Sequence, residues 1–184
     1  MDIEEKKRLA SSWFRSLRDE FCKEFESIDG SNFKRKKWDH SGSGGGEISI
    51  MKGNVFEKVG VNISTVSGEF KEDFRSNVSG TEESPEYWAS GLSIVAHMQS
   101  PFIPAFHFNT RFIVTGKQWF GGGADMTPAF VYKDDVEDFH NALKHACDKY
   151  DKNYYRDFKK IVRNISSYHT EMKKGEKGVF FSTI

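Results

Sequence analysis

Apolar residues at Ala10, Trp13, Phe14, Leu17, Phe21, Phe25 and Ile28 recur at spacings of three and four. That period predicts an amphipathic helix over 3–29, with Gly30 as its stop. The period changes after Glu47. Ile48, Ile50, Val55, Val61, Ile63 and Val66 fall in short runs broken by Gly53-Asn54, Gly60 and Gly68, which predicts two or three antiparallel strands. Between helix and strands, Lys34-Arg35-Lys36-Lys37-Trp38 reads as a solvated basic turn, because no further basic stripe extends it into a nucleic-acid groove. Ser41 to Gly46 reads as a linker or a phosphate cradle. It is not a P-loop, since no Gly-Lys-Ser/Thr follows it. Residues 71–88 are polar and irregular, as a loop over a sheet would be.

Two further strands are expected over 91–98 and 105–115. Alternate side chains of a strand share a face. Ser93, Val95 and His97 therefore stand together, and so do His107, Asn109, Arg111 and Ile113. Phe106, Phe108, Phe112 and Val114 take the other face and suit a core against helices. A row of imidazole, amide and guanidinium is costly to bury unpaired and suited to gripping carboxylates. It is otherwise an ordinary solvent-facing strand. Next comes Trp119-Phe120-Gly121-Gly122-Gly123-Ala124-Asp125-Met126-Thr127-Pro128. The three glycines read as a loop. Either it presents bare backbone and Asp125 to a flat ligand, or it is a long hairpin with a solvated Asp. A short strand is expected at 129–132. Asp134 or Asp135 should cap a helix of about 135–150, with Val136, Phe139, Leu143, Cys147 and Tyr150 inward. A second helix is expected over about 153–170, with His169 at its end.

Composition narrows the classes. The chain of 184 residues is one domain's worth, and 27 basic residues balance 27 acidic ones, so nothing global points to nucleic acid or an acidic membrane. Cys22 and Cys147 form no CxxC pair, which gives neither a disulfide framework nor a thiolate metal site. The charged run from Asp2 to Arg8 is not a secretory core. No apolar run reaches membrane-spanning length. A reducing cytoplasm fits. The expected fold is α+β, a single domain with helices packed on an antiparallel sheet.

The motifs also carry a resemblance. WFGGGADMTP closely resembles WFGGGADLTP of the oxygen-dependent coproporphyrinogen III oxidases. VFEKVGVNISTVSG and GLSIVAHMQSPFIPAFHFNTRF are similar to further segments of that family, and WDHSGSGGG is a looser match. The resemblance implies a large flat antiparallel sheet flanked by helices on both faces, with the substrate over one of them. It implies oxidative decarboxylation of two propionates of coproporphyrinogen III to vinyls, giving protoporphyrinogen IX. Oxygen is the acceptor, and there is no flavin or nicotinamide. By the same resemblance Ser93, Asn109, Thr110 and Arg111 contact substrate, with Gly121, Gly122 and Gly123 beneath it. His107 assists proton transfer, and Asp125 meets pyrrole N–H groups or takes a proton. His97, His107, His140 and His169 are the histidines assigned to a divalent metal, manganese, in bacterial members. None of their spacings is a zinc signature. The expected geometry has Arg111 and Asp125 facing one cavity.

The resemblance weakens near the end. Of the family's late signature, His169, Gly175, Gly178 and Phe180-Phe181 fit in register. Thr170 and Lys174 stand where it has arginines, and Ser182 where it has aspartate. Lys keeps the charge but loses the bidentate fork. The family runs on by about a third of its length, through a Gly-Gly-Arg contact and most of a dimer interface. The chain thus reads as a shortened member, with residues 178–183 as an unpaired edge inviting a homodimer. Two rival readings are a truncated, non-catalytic relative that binds porphyrinogen or acts as a partner subunit, and a metal-dependent hydrolase built on the histidines.

Overall fold

The computed structural model describes residues 1–75, 78–82, 84–160 and the strand 179–183. The elements are α1 (Ile3–Asp29), β1 (Lys34–Asp39), β2 (Ser43–Met51), β3 (Phe56–Glu69), α2 (Glu72–Arg75), β4 (Glu86–Met98), β5 (Ala105–Val114), β6 (Gln118–Thr127), α3 (Lys133–Asp148) and β7 (Val179–Thr183). Residues 154–160 are also helical. The seven strands form one antiparallel sheet in chain order, each beside its sequence neighbour. The architecture is α+β, as expected.

Helix α1 starts where Asp2 accepts the backbone N–H of Glu5 and ends at Gly30 with φ of 83°. It lies across β3 and β4. Its stripe meets the phenylalanine face in ring contacts: Phe14 with Phe120, Phe21 with Phe108 and Phe25 with Phe56. Phe14, Met51, Val59, Val61 and Ile94 are buried there. Trp13 and Ile28, read into the same stripe, are exposed. Arg18 is buried instead and pairs with Asp19 and with Glu47 of β2. The ion pairs supply the partners a buried guanidinium requires.

Asp29 fastens the helix end to the sheet. Its carboxylate accepts the backbone N–H groups of Asn54, Val55 and Phe56. The Phe56 bond comes first among the causes that lower its pKa to about 2. Helix α3 and the 154–160 helix share a small cluster of Cys147 and Phe158 with Leu143, Tyr154 and Tyr155.

Several expectations are corrected. The basic run 34–38 is the edge strand β1 rather than a turn, and Ser43–Gly46 opens β2 rather than forming a linker. The triple glycine lies inside β6, paired residue for residue with β5, and is not a loop. Residues 129–132 form no strand. The N-cap of α3 is Tyr132, with Asp134 and Asp135 in the first turn. Tyr150 is exposed. Strand β7 has β6 as its partner. The late signature between Ile161 and Gly178, including His169, lies outside the described residues.

Candidate functional site

Directly opposed residues of an antiparallel pair share a face. The side of the sheet turned away from α1 is therefore a grid. One row runs Gly60, Val95, His107, Asp125. The next runs Asn62, Ser93, Asn109, Gly123, and the next Ser64, Gly91, Arg111, Gly121. Thr110 and Gly122 fall on the α1 side, opposite Leu92 and each other.

Glycine on this face makes room for large side chains. A Cβ on Gly46 would come within 2.8 Å of the Trp38 ring, and one on Gly91 within 2.9 Å of Arg111 Cβ. Trp38 therefore lies against the sheet, and Arg111 rises beside a bare strand. Gly121 and Gly123 leave the β6 part of the floor without side chains, which is open to the approach of a flat ligand.

Two polar pairs stand on this floor. His107 Nδ1 lies 2.8 Å from Asp125 Oδ1, and the Thr127 hydroxyl donates to the same oxygen at 3.3 Å. The His97 ring centre is 5.9 Å from that of His107. Arg111 Nη2 donates to Asn109 Oδ1 at 2.9 Å. The His107 and Asp125 side chains are 38% and 39% exposed, so a ligand can reach both. Ser93 is also exposed.

Arg111 lines a pocket of about 290 Å3 with Trp38, Asn62, Ser64, Gly91 and Ser93. Asp125 is not part of that pocket. It shares the face with Arg111 but sits four residues along by register, roughly 13 Å away at 3.3 Å per residue. The arrangement is two stations on one floor: a cationic one at Arg111 and an imidazole–carboxylate one at His107.

Of the four histidines the resemblance assigns to a metal, three lie among the described residues, and His169 lies outside them. His97 and His107 are neighbours, whereas His140 on α3 bonds the Tyr155 hydroxyl. Among the described residues no three His, Cys, Asp or Glu side chains come together to hold an ion. Burial pushes the Cys22 and Cys147 thiols up, which removes them as nucleophiles. Trp38, Asn62 and Thr127 were missed in the sequence. Strand parity could have found Asn62, which alternates with Val61 and Ile63 and so faces away from the core.

The family model for coproporphyrinogen III oxidase matches residues 10–184. The oxygen-dependent coproporphyrinogen-III oxidase of Rickettsia akari is 49% identical over 96% of the chain and 67% of its own length. Those of Rickettsia africae and Rickettsia bellii are each 48% identical over similar shares. The chain spans about two thirds of the length of these relatives.

Proposed function

The chain belongs to the coproporphyrinogen III oxidase family, and from that premise we propose how its open sheet face serves the oxygen-dependent oxidase reaction. The enzyme is an oxidoreductase of porphyrin and heme biosynthesis. It converts two propionates of coproporphyrinogen III to vinyls, with molecular oxygen as co-substrate. Each propionate loses its carboxylate as CO2, a proton from the ring-proximal carbon and two electrons. Oxygen takes up the electrons and two protons to give hydrogen peroxide. The floor's part is to hold the macrocycle, fix one carboxylate and move the proton.

One observation carries the reading: the Arg111–Asn109 and His107–Asp125 pairs share one glycine-lined face at a separation on the scale of a tetrapyrrole. Arg111, with Asn109 and Ser93, is suited to a propionate carboxylate. His107 is suited to proton transfer, with Asp125 fixing the orientation of its ring. The bond from Asp125 to His107 favours that role over direct contact with pyrrole N–H groups. We extend the reading to a homodimer, because β1 and β7 each present a free strand edge among the described residues. A cytoplasmic setting suits two cysteines that are free and buried.

The test supplies coproporphyrinogen III to the purified chain and follows vinyl product by fluorescence after oxidation of the porphyrinogen. Turnover should require air and should collapse in His107→Ala. Tight binding without turnover would select the non-catalytic relative that Thr170 and Lys174 suggest. A monomer by light scattering at high concentration would remove the dimer.

A further inference from the structure

The amide oxygen of Asn62 is buried, and among the described residues nothing donates a hydrogen bond to it. An orphaned buried acceptor is rare and costs stability in the free protein. Asn62 is central in β3, on the face away from α1, directly opposite Ser93. It lines the same pocket as Arg111 and Trp38. At about 290 Å3 that pocket is at the small end for ligand sites. It has room for one ring of a macrocycle, not the whole.

The pocket's contents are complementary to such a ring. Arg111 offers N–H donors for a carboxylate. Trp38, held flat by Gly46, offers an aromatic wall. Asn62 offers an acceptor. With its carboxyl groups ionised, a porphyrinogen has one kind of strong hydrogen-bond donor, the pyrrole N–H. We propose that Asn62 is a further substrate-binding residue, whose Oδ1 accepts a pyrrole N–H of the ring whose propionate Arg111 holds, with Trp38 as the wall of that subsite. Gly91, lying between β3 and β5 at the Arg111 rung, keeps the lane between acceptor and cation free of side chain. The assignment rests on the function proposed above, because it presumes a tetrapyrrole over this face.

Anaerobic titration with coproporphyrinogen III, read by quenching of tryptophan fluorescence, tests it. Loss of one hydrogen bond should weaken binding about tenfold in both Asn62→Leu and Asn62→Ser. Neither variant should lower the melting temperature, since each removes an unsatisfied buried acceptor. A structural asparagine would behave in the opposite way. Unchanged affinity in both variants overturns the assignment, as does melting that falls while affinity holds. Wild-type protein that is folded but binds no coproporphyrinogen III overturns the functional reading and this assignment together. Loss of affinity in Arg111→Lys but in neither Asn62 variant overturns the assignment alone.

Discussion

Replacing Asp125 by Asn removes one charge and little else. The new amide oxygen can still accept from Thr127, and the shape at His107 is kept. The bond lost is charge-assisted, 2.8 Å between Asp125 Oδ1 and His107 Nδ1. Coulomb's law at an effective dielectric of about 20 sets a ceiling of roughly 6 kcal/mol for a charge pair at that distance. Both side chains are more than a third exposed, so water screens most of it, leaving roughly 1–2 kcal/mol. If His107 becomes charged while moving the proton, that energy is lost mainly in the transition state. kcat should then fall roughly five- to thirtyfold. Anaerobic affinity for coproporphyrinogen III should stay within about twofold, since binding does not charge His107. His107→Ala removes the proton carrier and should cost more, about 10²–10⁴ in kcat. The assay pairs aerobic turnover with anaerobic titration for each variant. An Asp125→Asn protein whose affinity falls while kcat holds would refute the positioning role and return Asp125 to direct contact with substrate. A loss equal to that of His107→Ala would mean that the charge does more than steady the ring.

Arg111→Lys keeps the charge and loses the fork, so coproporphyrinogen III affinity should drop by about 1–3 kcal/mol, read by the same titration. Asp29 has a folded pKa near 2 against an ordinary 3.8, so its stabilising effect is complete above about pH 4 and is lost as pH falls through 2. Melting temperature followed from pH 5 to 2 should show that loss, and Asp29→Asn should flatten this part of the profile. Phe14 is 1% exposed beneath α1, and Phe14→Ala should cost about 3–5 kcal/mol in urea unfolding through the cavity it leaves. A loss under 1 kcal/mol would mean that α1 is not a principal source of the core.

Much of the fold was legible because burial imposes its period on the sequence. The 3.6 repeat of α1 and the alternation in β5 were both read from apolar spacing, and the face carrying His107, Asn109 and Arg111 followed from parity. Misreadings fell where tertiary pairing overrides local preference. Three glycines break a strand by propensity, yet β5 and β7 pair Gly121–Gly123 on both sides. The Lys-rich run 34–38 reads as solvent-facing, and it is; an edge strand can be solvated along one side and paired along the other. Arg18 looks like a surface residue until Glu47 arrives from a strand far along the chain. The link between Asp125 and His107 depends on the register of β5 with β6, which spacing within one strand does not report. The orphaned acceptor at Asn62 is a fact about neighbours, and composition carries no trace of it.

The sheet's strict chain order also has a kinetic consequence. From β1 to β6 every strand pairs with the one made just before it across a short connection, whereas β7 reaches β6 only after α3 and the 154–160 helix have been made. Up to β6 a growing chain can add one hairpin at a time without waiting for a distant partner. Helix α1 is a second exception. It is synthesised first, but the β3 and β4 surface it covers comes later. Until then its phenylalanines have nothing to pack against and are available to the wrong neighbour. Docking of α1 is therefore a long-range event of folding, and substitutions at Phe14 or Phe21 should slow refolding more than equally destabilising ones in the β1–β2 hairpin.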